Sequence, residues 1–163
     1  MESASTLLTG LPPVIFPDTR ILILGSFPGE ASLAASRYYA HPRNQFWRLL
    51  SGVLTDDLAC LPYASRWHRL QHHGIGLWDV IAACERAGSL DAAIRRAQAV
   101  DFSRLPTAHP ALRKVCFNGK TAAKSAACFD ALGYQTLVLP SSSPANAQLS
   151  FEQKLVQWLE LTG

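Results

Sequence analysis

A four-residue apolar run, Ile21 to Leu24, that stops abruptly at Gly25 constrains the fold more than any other feature of this sequence. Four consecutive apolar residues are typical of a strand buried on both faces, as in a parallel sheet covered by helices. Pro28 and Gly29 follow closely, and with Gly25 they permit a tight turn. Polar and aromatic residues come next, and an open α/β sheet binds its ligand just beyond the end of such a strand.

Further strands and helices alternate along the rest of the chain. Strands are predicted at 75–81, 115–117 and 135–139, and helices at 63–73, 82–98 (irregular) and 120–132, with a last helix that begins at a Ser150–Gln153 capping box. Another helix is expected to begin near Pro42, which would place Asn44 in its first turn. Residues 1–20 are expected to supply a short edge strand or a wrapping segment.

This alternation predicts one domain, residues 1–163, in the α/β class. The expected architecture is a three-layer α/β/α sandwich with a central, mainly parallel four-stranded sheet. The loops that follow the four strands would then share one edge of the sheet. Those loops contain 25–44, Asp79, Asn118 and 141–146.

Composition excludes several classes of protein. No window approaches the roughly 20 uninterrupted apolar residues of a membrane span, and residues 1–4 lack the basic start of a signal peptide, so a cytoplasmic protein without membrane contact is expected. The four cysteines form no CxxC pair, so we expect buried thiols, no metal site and no cofactor. A net charge of +3 permits a polyanionic partner without requiring one.

Two tempting motifs fail on inspection. Gly119, Lys120 and Thr121 follow a predicted strand as the end of a phosphate-binding P-loop would, but the required first glycine falls on Lys114. His68 and His72 have the i, i+4 spacing of metal ligands, yet they lack the glutamate of an HExxH motif and a third ligand. A glycine turn and a solvated helix face explain these two features better.

The residues that follow the first strand resemble a motif of a known family. The segments 25–33 (GSFPGEASL) and 38–47 (YYAHPRNQFW) are similar to the first motif of the uracil-DNA glycosylase superfamily, and in particular to its hypoxanthine-DNA (deoxyinosine) glycosylase branch. The segments 77–80 (LWDV), 117–120 (FNGK) and 139–147 (LPSSSPANA) match that branch in the same order. The resemblance covers about residues 14–160.

The resemblance implies roles for two residues in particular. Tyr39 would stack on a base that has been flipped out of the DNA, a contact worth about 1 to 3 kcal/mol. The water-positioning side chain that many superfamily members carry in the glycine turn is absent, because that place is taken by Phe27. In the hypoxanthine branch the catalytic asparagine resembles Asn44, whose carbonyl would accept from the attacking water and orient it.

The resemblance also implies two sets of binding residues. The base would be held by Gly25, Ser26, Phe27, Tyr39, Asp79 and Asn118. DNA phosphates would be gripped by Arg43, Lys120, Ser141, Ser142, Ser143 and Pro144. An unrelated explanation stays open for several of them: Asn44 can bond its own backbone, Asp79 can cap a helix, and an Asn-Gly pair is a good turn by itself.

The sequence therefore predicts a monomeric, monofunctional DNA glycosylase that removes deaminated bases, hypoxanthine first and then uracil, from double- or single-stranded DNA. No lysine marks a Schiff-base nucleophile, so base removal should leave an abasic site without strand cleavage. Three alternatives stay open: a mismatch-type uracil or xanthine glycosylase of the same fold, a non-catalytic lesion-binding module, and a flavodoxin-like small-molecule binder.

Overall fold

The structure is a computed structural model and describes residues 6–163. Its strands are β1 Leu8–Thr9, β2 Ile21–Gly25, β3 Ile75–Asp79, β4 Ile81–Glu85, β5 Arg95–Ala99, β6 Lys114–Asn118 and β7 Gln135–Leu139. Its α-helices are α1 Glu30–Ala35, α2 Phe46–Leu54, α3 Tyr63–His73, α4 Leu105–Ala108, α5 Lys120–Ala123, α6 Ala126–Ala131 and α7 Phe151–Trp158. The few residues of the expected 1–163 domain that precede residue 6 lie outside the described part.

Four parallel strands form the central sheet in the order β3-β2-β6-β7. Consecutive residues of β2 point to opposite faces of the sheet, so Ile23 packs with Phe46 and Trp158 from α2 and α7, while Leu22 packs on the other face with Phe129 from α6. Helices therefore cover both faces. The predicted three-layer sandwich with a parallel four-stranded sheet is confirmed.

A second, antiparallel sheet of order β1-β4-β5 was not predicted from the sequence. The expected irregular helix over 82–98 is wrong, since this segment forms β4, a short 3-10 turn and β5. Its alanines and arginines favour a helix in isolation, but β4 follows β3 after a single residue and pairs with β1 and β5. Pairing within the fold overrides this local preference.

Helix boundaries near the first motif also differ from the prediction. Instead of beginning near Pro42, the helix begins at Phe46 and is preceded by a turn. Asn44 therefore lies just before the helix, where its side-chain oxygen accepts from the Phe46 backbone N–H at 2.9 Å. Asparagine readily makes such short-range bonds, and this one keeps residues 44 and 45 in a turn, so that the helix begins only at residue 46. The helix predicted over 120–132 is interrupted and forms α5 and α6.

Other local predictions hold. The predicted helix 63–73 and strand 135–139 match α3 and β7, and the Ser150–Gln153 capping box is present at the start of α7. The expectation of buried thiols is wrong for Cys60 and Cys128, which are exposed, although the other two cysteines are buried. Within residues 6–163, no helix has the length and apolar content needed to cross a membrane.

Candidate active site

The carboxyl ends of the four parallel strands bring the predicted site residues together. Gly25 ends β2 and pairs in register with Asp79, the last residue of β3. Asn118 ends β6 opposite Leu139 of β7, and the serine-rich loop 140–144 follows. Because all four strands run in the same direction, these chain ends meet at one edge, where open α/β sheets place their ligands.

A hydrogen-bond network joins Asn44, Ser142 and Asn118, and we call it the asparagine network. The Asn118 side chain accepts from the Ser142 backbone N–H at 2.9 Å and donates through Nδ2 to Ser142 Oγ, also at 2.9 Å. Ser142 Oγ lies 2.8 Å from Asn44 Oδ1. Ser142 and Asn118 are 1% and 9% exposed, so the network is held inside the protein.

Backbone and side-chain contacts fasten the network further. The Ser142 carbonyl accepts from the Gln45 N–H at 3.0 Å, which ties the serine loop to the start of α2. Behind it, the buried Lys154 donates from Nζ to Gln45 Oε1 at 2.9 Å, and burial lowers the pKa of this ammonium. The sequence indicated no role for Gln45, although it lies within the first motif, or for Lys154, because neither has a chemical signature without its partner.

Tyr39 is held in a left-handed backbone conformation, with φ of 54°, that few non-glycine residues adopt. Its ring stacks on the Phe46 ring with a centroid distance of 3.8 Å and an angle of 12° between the planes. One face of Tyr39 is therefore covered by the core, and the residue also lines a cleft. Its hydroxyl is buried and has no hydrogen-bond partner among residues 6–163, and burial raises its pKa above the ordinary value.

Asp79 is 5% exposed, and its Oδ2 atom has no hydrogen-bond partner within the described residues. Burial, helped by the charge of Asp91, raises the pKa of this carboxyl from 3.8 to about 7. Gly25 makes room for it: a Cβ at that position would lie 2.6 Å from Asp79 Oδ1 and 3.1 Å from the Tyr39 hydroxyl oxygen. The two acidic side chains, which we call the Tyr39–Asp79 pair, thus converge above Gly25.

The turn after Gly25 is fastened to the smaller sheet. Ser26 Oγ donates to Asp91 Oδ1 at 2.7 Å, and Arg86 donates to the Pro28 carbonyl at 2.7 Å while its guanidinium lies over the Phe27 ring. The side chains of Ser26 and Phe27 are therefore engaged by the segment between β4 and β5. Their predicted contribution to base binding stays a prediction.

The predicted phosphate-binding residues lie around the same edge. Arg43 and Lys120 are exposed, and Lys120 begins α5 two residues after Asn118. In the serine loop, Ser141 Oγ accepts from the Ser143 N–H and Ser143 Oγ from the Ala145 N–H, both at 3.2 Å, while Pro144 is exposed. Contact of any of these groups with phosphate stays a prediction.

A cleft of about 570 Å³ adjoins the site and was missed in the sequence. Tyr39 and Asn44 line it together with aromatic side chains and three arginines, Arg37, Arg48 and Arg66. No carboxylate of the described residues lines it. Arginine and aromatic faces suit a polyanion with stacking bases. Across residues 6–163, no cluster of three or more His, Cys, Asp or Glu side chains could hold a metal ion.

Comparison with protein families places the chain in a known superfamily. The model of the uracil DNA glycosylase superfamily matches residues 12–161. The chain belongs to this superfamily. Its predicted resemblance to that superfamily is thereby confirmed.

Individual relatives within the superfamily agree. A hypoxanthine DNA glycosylase of Methanosarcina barkeri is 42% identical over 93% of this chain and 95% of its own, and one of Methanosarcina acetivorans is 43% identical over 86% and 89%. A G/U mismatch-specific uracil DNA glycosylase of Schizosaccharomyces pombe is 30% identical over 64% of this chain but only 31% of its own. The predicted branch is confirmed by the first two.

A solved structure supports the fold. A solution NMR structure from Methanosarcina acetivorans, provisionally described as a uracil DNA glycosylase, superposes with a TM-score of 0.86 at 38% identity. The match covers 97% of this chain and 100% of that chain. The whole sandwich, including the strand-end edge, therefore follows the architecture of the superfamily.

Proposed function

We propose that this protein is a monofunctional DNA glycosylase that hydrolyses the N-glycosidic bond of deoxyinosine, releases hypoxanthine and leaves an abasic site. The broader expectation, a DNA glycosylase that acts on deaminated bases, is confirmed by membership of the superfamily and by the names of the two relatives from Methanosarcina. The choice of hypoxanthine over uracil or xanthine is the part that we propose.

One observation carries the proposal. The asparagine network, which holds Asn44, lies at the same sheet edge as two buried oxygens that have no hydrogen-bond partner within residues 6–163, Tyr39 Oη and Asp79 Oδ2. Unpaired polar groups in a protein interior cost free energy, so a site that keeps them is one that a ligand completes. A flipped base offers the polar edge that such groups would recognise.

The chemistry of the base fits the Tyr39–Asp79 pair. Hypoxanthine carries a lactam edge with one ring N–H donor beside one carbonyl acceptor. With a pKa of about 7, Asp79 is partly protonated at neutral pH, and a neutral carboxyl offers one acceptor and one donor to such an edge. When the glycosidic bond breaks, its electron pair goes to the base, and an O–H donor at Asp79 stabilises the charge that develops there.

Hydrolysis also needs a water molecule at the sugar. Its oxygen forms the new bond to C1′ while the bond to the base breaks; the water loses one proton to solvent, and the departing base, which carries the electron pair of that bond, takes up one proton in its place. Asn44, which lines the cleft, is the residue proposed to orient this water. Tyr39 would stack on the base with the ring face that Phe46 leaves uncovered.

Arg43, Lys120, Ser141, Ser143 and Pro144 are proposed to hold the phosphates around the flipped nucleotide. Ser142 is left out of this set because it is 1% exposed and its polar groups are bonded inside the protein. We also propose that the protein acts as a monomer, in the cytoplasm, on double- or single-stranded DNA.

A mismatch-type uracil glycosylase is the second candidate, because uracil has the same lactam edge and the relative from Schizosaccharomyces pombe bears that name. The test is base release from a panel of otherwise identical duplexes that contain a single inosine, uracil or xanthine. Hypoxanthine should be released fastest. Tight lesion-selective binding without release would support a non-catalytic module, and neither binding nor release would overturn both proposals.

A further inference from the structure

The hydrogen bonds of the asparagine network have only one possible direction. The backbone N–H groups of Phe46 and Ser142 can only donate, so the atoms that face them must be the carbonyl oxygens of Asn44 and Asn118. Asn118 Nδ2 can only donate as well, so Ser142 Oγ accepts from it. The single hydroxyl proton of Ser142 is then left to point at Asn44 Oδ1.

This direction decides what Asn44 presents to the cleft. Its Oδ1 atom accepts from the Phe46 N–H at 2.9 Å and from the Ser142 hydroxyl at 2.8 Å, which uses both lone pairs of the carbonyl. Both donors come from inside the protein, since Phe46 is fully buried and Ser142 is 1% exposed. The other end of the planar carboxamide, Nδ2, makes no side-chain bond in the described residues and is free to face the cleft that Asn44 lines.

We infer that Ser142 is a positioning residue that fixes the Asn44 carboxamide with its oxygen inward, so that Asn44 holds the attacking water by donating from Nδ2 instead of accepting at its carbonyl. This inference rests on the proposed function and reverses the polarity expected from the sequence. The water oxygen accepts from Nδ2–H through one lone pair and keeps the other for C1′. Since both partners of Asn44 belong to the protein itself, Phe46 two residues further along the chain and Ser142 in the loop after β7, the orientation is set before DNA binds.

Replacing Asn44 by aspartate separates a donor from an acceptor. In Asn44→Asp, Oδ1 can keep both inward bonds while Oδ2 faces the cleft. If a donor is needed, the ionised variant is inactive, and activity returns as the pH is lowered and Oδ2 gains a proton. If an acceptor is needed, the ionised carboxylate supports at least wild-type release, and activity falls at low pH.

The measurement is single-turnover release of hypoxanthine from an inosine duplex, expressed as the ratio of variant to wild-type rate across pH. Asp79 and the charged or polar groups around position 44, which are His41 and Arg48 in the cleft and Lys154 behind Gln45, are present in both proteins, so the ratio isolates the effect of residue 44. A ratio that rises as the pH falls supports the inference. A ratio that rises with pH overturns it.

Ser142 itself is tested with a matched serine-to-alanine control outside the site. Ser142→Ala should lower kcat about tenfold with little change in KM, because it removes one of the two bonds that orient Asn44. Ser142→Thr, which keeps the hydroxyl, should restore part of the loss. Ser125→Ala removes the hydroxyl of a serine outside the site, whose side chain makes no capping bond at the start of α6, and should leave kcat near the wild-type value.

A readout that needs no activity keeps this inference distinct from the proposed function. In NMR spectra, Ser142→Ala should shift the side-chain NH₂ signals of Asn44 and the backbone N–H signal of Phe46, while the Asn146 side chain, which donates to the Ser141 carbonyl, serves as the control. Unchanged Asn44 signals would overturn the positioning role whether or not the enzyme releases a base. If the wild type releases no base while the Asn44 signals shift, the proposed function fails and the positioning of Asn44 stands.

Discussion

The two halves of the strand-end site, the asparagine network and the Tyr39–Asp79 pair, both contain buried polar atoms, but only in the first are these atoms satisfied by the protein. Asn118, Ser142 and the Asn44 carbonyl bond one another and the backbone. Tyr39 Oη and Asp79 Oδ2 have no partner among the described residues. The satisfied half is organised in advance, whereas the unsatisfied half leaves its bonds for a ligand.

This contrast suggests a division of labour. A group that must hold a water molecule at a fixed place gains from a rigid setting, because misplacement of the reacting atoms is costly. Groups that recognise a base must be open to it, and an unpaired oxygen in the free enzyme is the cost of that recognition. Substitutions in the two halves should therefore differ in kind as well as in size.

The largest effect is expected from Asn44→Ala, which removes the water-holding group. Loss of one such preorganised contact lowers turnover by about 10²- to 10³-fold, and binding to an inosine duplex should be nearly unchanged. Single-turnover rates and a binding titration on the same duplex measure the two quantities. Equal rates for variant and wild type would show that Asn44 takes no part in the chemistry, and the asparagine network would then have no catalytic role that distinguishes it from the Tyr39–Asp79 pair.

The next largest effect concerns stability. The folded pKa of Asp79, about 7, lies above the ordinary 3.8, so the fold favours the protonated carboxyl, and this contribution is complete below about pH 4 and lost as the pH rises through 7. Asp79→Asn should therefore unfold with a free energy higher than that of the wild type at pH 8, by at most roughly 4 kcal/mol, with little difference at pH 4. Denaturant titrations at both pH values check this, and a constant difference would show that Asp79 is not held neutral.

Gly25→Ala tests the convergence of the Tyr39–Asp79 pair. The new Cβ would lie 2.6 Å from Asp79 Oδ1, too close for a carboxylate to stay in place. Displacement of both side chains should slow base release by about ten- to a hundredfold, because small misplacements at a reacting site have effects of this size. Gly10→Ala is the control, since its nearest contacts at 3.4 Å are ordinary.

The smallest effect is expected from Tyr39→Phe, and its two parts have opposite signs. Removing a buried hydroxyl that has no partner should raise the free energy of unfolding by about 1 kcal/mol. The same change should weaken base recognition, with KM raised several-fold, while stacking by the ring is kept. Thermal unfolding and steady-state kinetics measure the two parts. A loss of stability would show that the hydroxyl is already satisfied in the free protein.

The sequence predicted the strands of the central sheet well, because each is a short apolar run bounded by glycine, proline or asparagine. It failed over 82–98, where alanines and arginines favour a helix and only the pairing of β4 with β1 and β5 makes a sheet. The predicted start of α2 was also wrong. Proline is favoured at the first position of a helix, so Pro42 indicated a start there, but the bond from the Phe46 N–H to the Asn44 side chain keeps the preceding residues in a turn.

The residues of the site were predicted from a resemblance, but not how they are connected. Ser142 and Asn44 are 98 positions apart, and a bond between two short polar side chains leaves no periodic pattern in a sequence. The burial of Lys154 behind Gln45 is invisible for the same reason. Which atom of Asn44 is free, and which oxygens of Tyr39 and Asp79 are unpaired, follow only from three-dimensional packing.

The most direct test of the division of labour compares Asn44→Ala and Asp79→Asn on inosine and uracil duplexes under single-turnover conditions. The account predicts that Asn44→Ala slows release of both bases by the same factor, since water attack is common to them. Asp79→Asn should change the ratio of the two rates, since it alters contacts with the base. A changed ratio in Asn44→Ala together with an unchanged ratio in Asp79→Asn would contradict the account.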